Sequence, residues 1–125
     1  MDDLKLEPYA VVIRWQMPEG VVAWEAILGE YIQLLAQKCS EAGKCVIGHI
    51  KALATFSNQD FIRISAIDAN IPVTIEGSVP AGTHELDLTV NVLVYGLEII
   101  KIETITHKTA HIVATSRKGG VTFIK

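Results

Sequence analysis

An α+β fold is predicted: a two-layer sandwich in which two helices pack on one face of a mainly antiparallel, four- to five-stranded sheet. Three observations predict it. Residues 84–96, HELDLTVNVLVYG, alternate apolar and polar side chains along most of their length. Residues 46–67 repeat that alternation on either side of a SNQD turn. Residues 21–41 carry apolar side chains at helical spacing, with no turn signal except Gly29. Strict alternation belongs to strands with one covered face, and a helix with a wide apolar stripe supplies the cover.

The first element, YAVVIRWQ at 9–16, reads as a strand from its β-branched and aromatic content, and Pro18, Glu19 and Gly20 end it. In the helix that follows, Trp24, Ile27, Leu28, Tyr31, Leu34, Leu35 and Cys39 form the stripe, with Glu25, Glu30, Gln33 and Gln37 between them. Gly43, in Ala42-Gly43-Lys44, is expected to close the helix as a left-handed cap. In VIGHIKALATF at 46–56, parity sends Val46, Gly48, Ile50, Ala52, Ala54 and Phe56 toward the helix. It sends Ile47, His49, Lys51, Leu53 and Thr55 to the reverse face.

FIRISAID repeats the logic, with Ile62, Ile64 and Ala66 inward and Arg63 and Ser65 outward, so residues 46–67 form an antiparallel hairpin. Pro72 confines the short strand PVTIEG to an edge or a strand start. After a loop at 79–84, Leu86, Leu88, Val90, Val92 and Val94 are the buried row. Asp87, Thr89, Asn91, Leu93 and Tyr95 are the other row. Residues 97–114 are predicted as a helix, with Ile99, Ile102, Ile105, Thr109, Ile112 and Val113 on one side, although their β-branched content also suits a strand. SRKGG is a turn, and VTFIK is either a last strand or a loosely held tail.

Of 125 residues, half are hydrophobic and a fifth charged, the balance of one globular domain rather than a disordered chain. A net charge of -3, with Arg117-Lys118 the one adjacent basic pair, predicts no nucleic-acid partner. No apolar run approaches the roughly 18 residues of a bilayer span, so no membrane partner is predicted either. The acidic start, lacking a basic leader and a long apolar stretch, predicts a cytoplasmic location. Cys39 and Cys45 are not spaced as a redox pair or a metal knuckle. They are expected as unlinked thiols, Cys39 facing the core and Cys45 opening a strand.

The reverse sheet face is the candidate site. His49, Lys51, Arg63, Asp87, Asn91 and Tyr95 offer cations, an acid and hydrogen-bonding groups for a ligand. Ile47, Leu53 and Leu93 among them point to a protein interface, with a second copy or another protein as partner. The docking reading leads. Its rival, a small-molecule or metal-dependent enzyme, requires His49, Lys51, Arg63 and Asp87 to converge on a cavity. A separate candidate is a metal site on the second helix, where Glu103, His107 and His111 recur every four residues. No nucleophile elbow or Walker loop is present, and Ser65 or Cys45 beside His49 lacks an orienting group. The cofactor is left open.

IGHIKA at 47–52, ISAID at 64–68 and LTVNVLVYGLE at 88–98 resemble stretches of the C-terminal accessory region of CobW-like GTPases. That family is associated with metal insertion and corrinoid cofactors. The resemblance spans about residues 20–110, and its motifs are of low specificity. The sequence has no P-loop and no Cys-x-Cys-Cys motif, so the resemblance implies a docking or accessory role and not nucleotide chemistry.

Overall fold

The computed structural model describes residues 8–20 and 22–124. In chain order it contains β1 (Tyr9–Gln16), α1 (Trp24–Glu41), β2 (Val46–Thr55), β3 (Phe61–Ala66) and β4 (Thr74–Gly77). These are followed by β5 (Glu85–Tyr95), α2 (Ile99–Ser116) and β6 (Gly120–Phe123). The strands form one sheet of order β4-β3-β2-β5-β1-β6, with every neighbouring pair antiparallel. The sheet has six strands rather than four or five because the segment after Pro72 and the VTFIK tail both pair, as four-residue edges.

β1 and β2 both pair with β5 and so run parallel, joined by α1. β5 and β6 both pair with β1 and run parallel, joined by α2. Two interleaved split βαβ units result, the ferredoxin-like arrangement, with β3 and β4 inserted as a hairpin that widens the sheet beyond β2. Both helices pack on one face and against each other. No helix among the described residues is long and apolar enough to cross a membrane.

The core lies between the layers. On α1, Trp24, Ile27, Leu28, Tyr31, Leu35 and Cys39 are buried as the spacing predicts, joined by Ile32 and Ala36. Beneath the helices the small side chains of Ala52, Ala54 and Ala66 let the backbones approach. Tyr31 bridges the layers: its ring meets Trp15 edge-on at 5.2 Å. Its hydroxyl donates to the Thr106 carbonyl of α2 at 3.1 Å.

α2 forms despite its β-branched content because packing outweighs intrinsic propensity. The buried hydroxyl of Thr106 is satisfied within the helix, donating to the Ile102 carbonyl at 2.7 Å. The buried stripe is Ile102, Thr106, Thr109, Ala110, Val113 and Ala114. Ile99 and Ile112, expected inside, are exposed. The stripe is turned toward Thr106, whose carbonyl α1 contacts through Tyr31.

Two other expectations are corrected. Gly43 is not a left-handed cap: Ala42 ends α1 in the right-handed region, and the left-handed glycines are Gly20, Gly77, Gly82 and Gly96. Gly96, at φ +95°, turns the chain from β5 into α2, and a Cβ there would stand 2.7 Å from the Lys44 carbonyl oxygen.

Ile47 does not lie on the outer face. Ile47 opposes Val94 while His49 opposes Leu93, so Gly48 is an extra, bulged residue that shifts β2 by one. Ile47 therefore turns inward onto the core, and Val46 faces out, 61% exposed. Uninterrupted parity holds only beyond the bulge.

Cys39 is buried and Cys45 half-buried, and they are not linked. The Cys45 thiol donates to the Cys39 carbonyl at 3.0 Å. Burial pushes the Cys39 thiol up to about 12. At the far side, Gln33 of α1 holds the β3–β4 connection. Its Nε2 donates to the carbonyls of Ala69 (3.2 Å) and Ile71 (3.3 Å), and its Oε1 accepts from the Val73 N–H at 3.0 Å.

Candidate functional site

The face of the sheet opposite the helices carries its side chains in rows across the strands. One row pairs Arg14 with Asp87. The next runs Val12, Thr89, Leu53, Arg63, Glu76, and the third runs Ala10, Asn91, Lys51, Ser65, Thr74. Leu93 with His49, then Tyr95 with Val46, follow toward one end of the face, and Thr55 with Phe61 and Gln16 with Glu85 lie toward the other. His49, Lys51, Arg63, Asp87, Asn91 and Tyr95 thus share one side, since directly paired residues of an antiparallel ladder project the same way.

They do not converge. Asp87 is held by Arg14 of β1, whose Nε and Nη2 reach its two carboxylate oxygens at 2.8 and 3.1 Å. Arg63 bonds Glu76 of β4 at 3.3 Å and lies 5.3 Å from the centre of the Phe61 ring. His49 sits opposite Leu93, six residues along β5 from Asp87, on the order of 20 Å away. Lys51 makes no ion pair among the described residues. The enzyme-like quartet of His49, Lys51, Arg63 and Asp87 is therefore spread over an open sheet and encloses no common cavity. Ser65 pairs beside Lys51 and not beside His49.

A hollow interrupts the face between β2 and β5. β2 and β5 pair as far as Leu53 and Thr89. Beyond that point β2 stays with β3 and β5 stays with β1. The strands part around an open cleft of about 520 Å³, lined among others by Leu53, Thr55, Ser57, Glu85, Asp87 and Thr89. Its two carboxylates share one cation: Arg14 Nε lies 3.8 Å from Glu85 and 2.8 Å from Asp87. The Arg14 hydrogen bond holds the Asp87 carboxyl below the ordinary carboxylate range.

The metal triplet does not assemble. No group of three His, Cys, Asp or Glu side chains that could hold a metal ion occurs among the described residues. His107 Nε2 is hydrogen-bonded with the Tyr9 hydroxyl at 2.8 Å. Its ring stacks on Phe123 of β6, with centroids 3.9 Å apart and planes 13° apart. His111 meets the same phenyl ring edge-on at 5.6 Å. The histidines fasten α2 to β1 and β6. Burial lowers the His107 pKa, with Glu103 opposing the shift and His111 adding to it.

Arg14, Glu76 and Glu85 escaped the sequence reading. Their alternation places them outward, but their partners are set by cross-strand register, which a single strand does not encode. No protein-family model matches the chain, and neither a curated protein nor a solved structure matches it.

Proposed function

We propose that this chain is a small docking domain that works by assembly through its outer sheet face, with a second copy of itself as the partner. The observation that carries the reading is the makeup of that face. Both helices lie behind it, and it sets Val12, Val46, Leu53 and Leu93 among polar neighbours. Leu53, near its centre, is still 38% exposed.

Its charges balance, with Arg14, Lys51 and Arg63 against Glu76, Glu85 and Asp87, while the whole chain carries -3. A neutral, mixed-sign surface meets its own copy without net repulsion. The strands span on the order of 700 Å², close to the area one partner contributes to a standard interface. The likeness to the accessory region of CobW-like GTPases supports a docking role.

Sedimentation equilibrium of the native chain and of Leu53→Lys tests the reading. Burying the exposed remainder of Leu53 in both copies contributes about 2 kcal/mol, so its loss weakens the dimer at least about 30-fold. A dimer that becomes a monomer in the variant, with an unchanged circular dichroism spectrum, supports self-docking. A native chain that stays monomeric at high concentration removes it.

A further inference from the structure

We propose that the two-fold axis of this pair runs along the row Val12–Thr89–Leu53, so that Lys51 of each copy enters the β2–β5 cleft of the other. The inference rests on the docking reading above and specifies its geometry. A two-fold axis lying between two facing sheets, perpendicular to their strands, exchanges rows at equal distances on either side of it. On β2, Lys51 lies one row from Leu53 in one direction and Thr55 one row in the other. Rotation therefore brings Lys51 of the second copy over Thr55, a wall of the cleft, with Asp87 across from it and Glu85 one row further on.

Charge selects this axis over its neighbours. Arg14 and Arg63 already have carboxylate partners, whereas Lys51 has none among the described residues. Glu85 also accepts from the neutral amide of Gln16 at 2.9 Å, but Arg14 is the one cation that Glu85 and Asp87 share among the described residues, which leaves the cleft one negative charge in excess. The unmatched positive and negative charges thus lie on opposite sides of the Leu53 row, a self-complementary pattern. Moving the axis one row, onto Asn91–Lys51, would set Lys51 against its own copy. On the Leu53 row, leucine meets leucine at the centre; Arg63 and Glu76 also face their own copies toward the rim, but as an ion pair neutralised within each copy, which Lys51 is not.

A charge swap tests the geometry. Lys51 and Thr55 are both exposed, so neither substitution reaches the core. Lys51→Glu places an acid against the acidic cleft, and Thr55→Lys fills the cleft wall with a like charge. Each is expected to weaken the dimer at least about 10-fold by sedimentation equilibrium at low salt, and the double variant to return to within about 3-fold of the native chain. If Leu53→Lys abolishes the dimer while both single variants leave it intact, or the double variant is not rescued, the axis is wrong and the docking reading stands. A monomeric native chain overturns both.

Discussion

Replacing Tyr31 by Phe removes one oxygen from the joint between the two helices and leaves the rest of the side chain in place. The ring keeps its edge-on contact with Trp15 at 5.2 Å. What disappears is the hydroxyl's bond to the Thr106 carbonyl, 3.1 Å long and fully buried. That carbonyl lies within α2 and retains its helical partner, so no acceptor is orphaned and the penalty for an unpaired buried group does not apply. The expected loss is that of one buried hydrogen bond, about 1 kcal/mol, or roughly 4 °C in the melting temperature of a chain this size.

Urea unfolding followed by circular dichroism, with an unchanged m-value, measures it. A loss above about 3 kcal/mol would mean that the hydroxyl holds the helices in place, and none at all would mean that the bond does not form in solution. The same variant has a signature at high pH. Burial raises the Tyr31 pKa well above 10, so its contribution is present below about pH 10 and is lost as pH rises beyond that value. The Tyr31→Phe protein is expected to have the flatter alkaline limb.

His107 has the opposite sign. Its pKa is lowered by burial, so the stability it contributes is present above about pH 6.5 and is lost as pH falls through the lowered value. His107→Phe, which can keep a ring on Phe123, is expected to lose less of its urea midpoint between pH 7.5 and pH 5 than the native chain, and equal losses would count against the stacked, neutral imidazole. Gly96→Ala forces a Cβ to 2.7 Å from the Lys44 carbonyl oxygen at a left-handed φ, so a cost of about 1–3 kcal/mol is expected in urea unfolding, and a neutral result would refute the strained turn. Cobalt titrations of the native chain and of His107→Ala are expected to superimpose, because no three side chains able to ligate a metal come together among the described residues; a d–d absorption band lost only in the variant would reinstate a metal site.

The layer architecture was legible because burial writes itself into periodicity. β5 alternates along its eleven residues since one face is covered throughout, and α1 shows its stripe because a sheet lies beneath it. The α2 helix was legible from spacing even against β-branched composition, but its rotation was not, because the direction of α1 decides which flank is buried. β2 was readable from His49 onward and out of phase before it, since the Gly48 bulge is a property of the pair with β5 and not of the strand alone. The outer face is grouped as parity predicts except at Ile47, and the convergence that an enzyme reading would require is absent. Asp87 and Arg63 each found a cross-strand partner, Arg14 and Glu76, at sequence separations of 73 and 13 that no local pattern announces. His107 was misread for the same reason: Tyr9 lies 98 residues away in the chain.

The amide of Gln33 takes the place of a missing strand neighbour. Beyond β3 the chain leaves the sheet, and its backbone groups at Ala69, Ile71 and Val73 are met by one side chain that gives twice and receives once. The inserted hairpin is therefore tethered to the first helix as well as to the sheet, and those three links depend on a carboxamide: a carboxylate at that position would accept from Val73 but offer nothing to the two carbonyls. Tilting α1 would drag the outermost strand along, so the hairpin is mechanically part of the four-stranded frame and not an appendage to it.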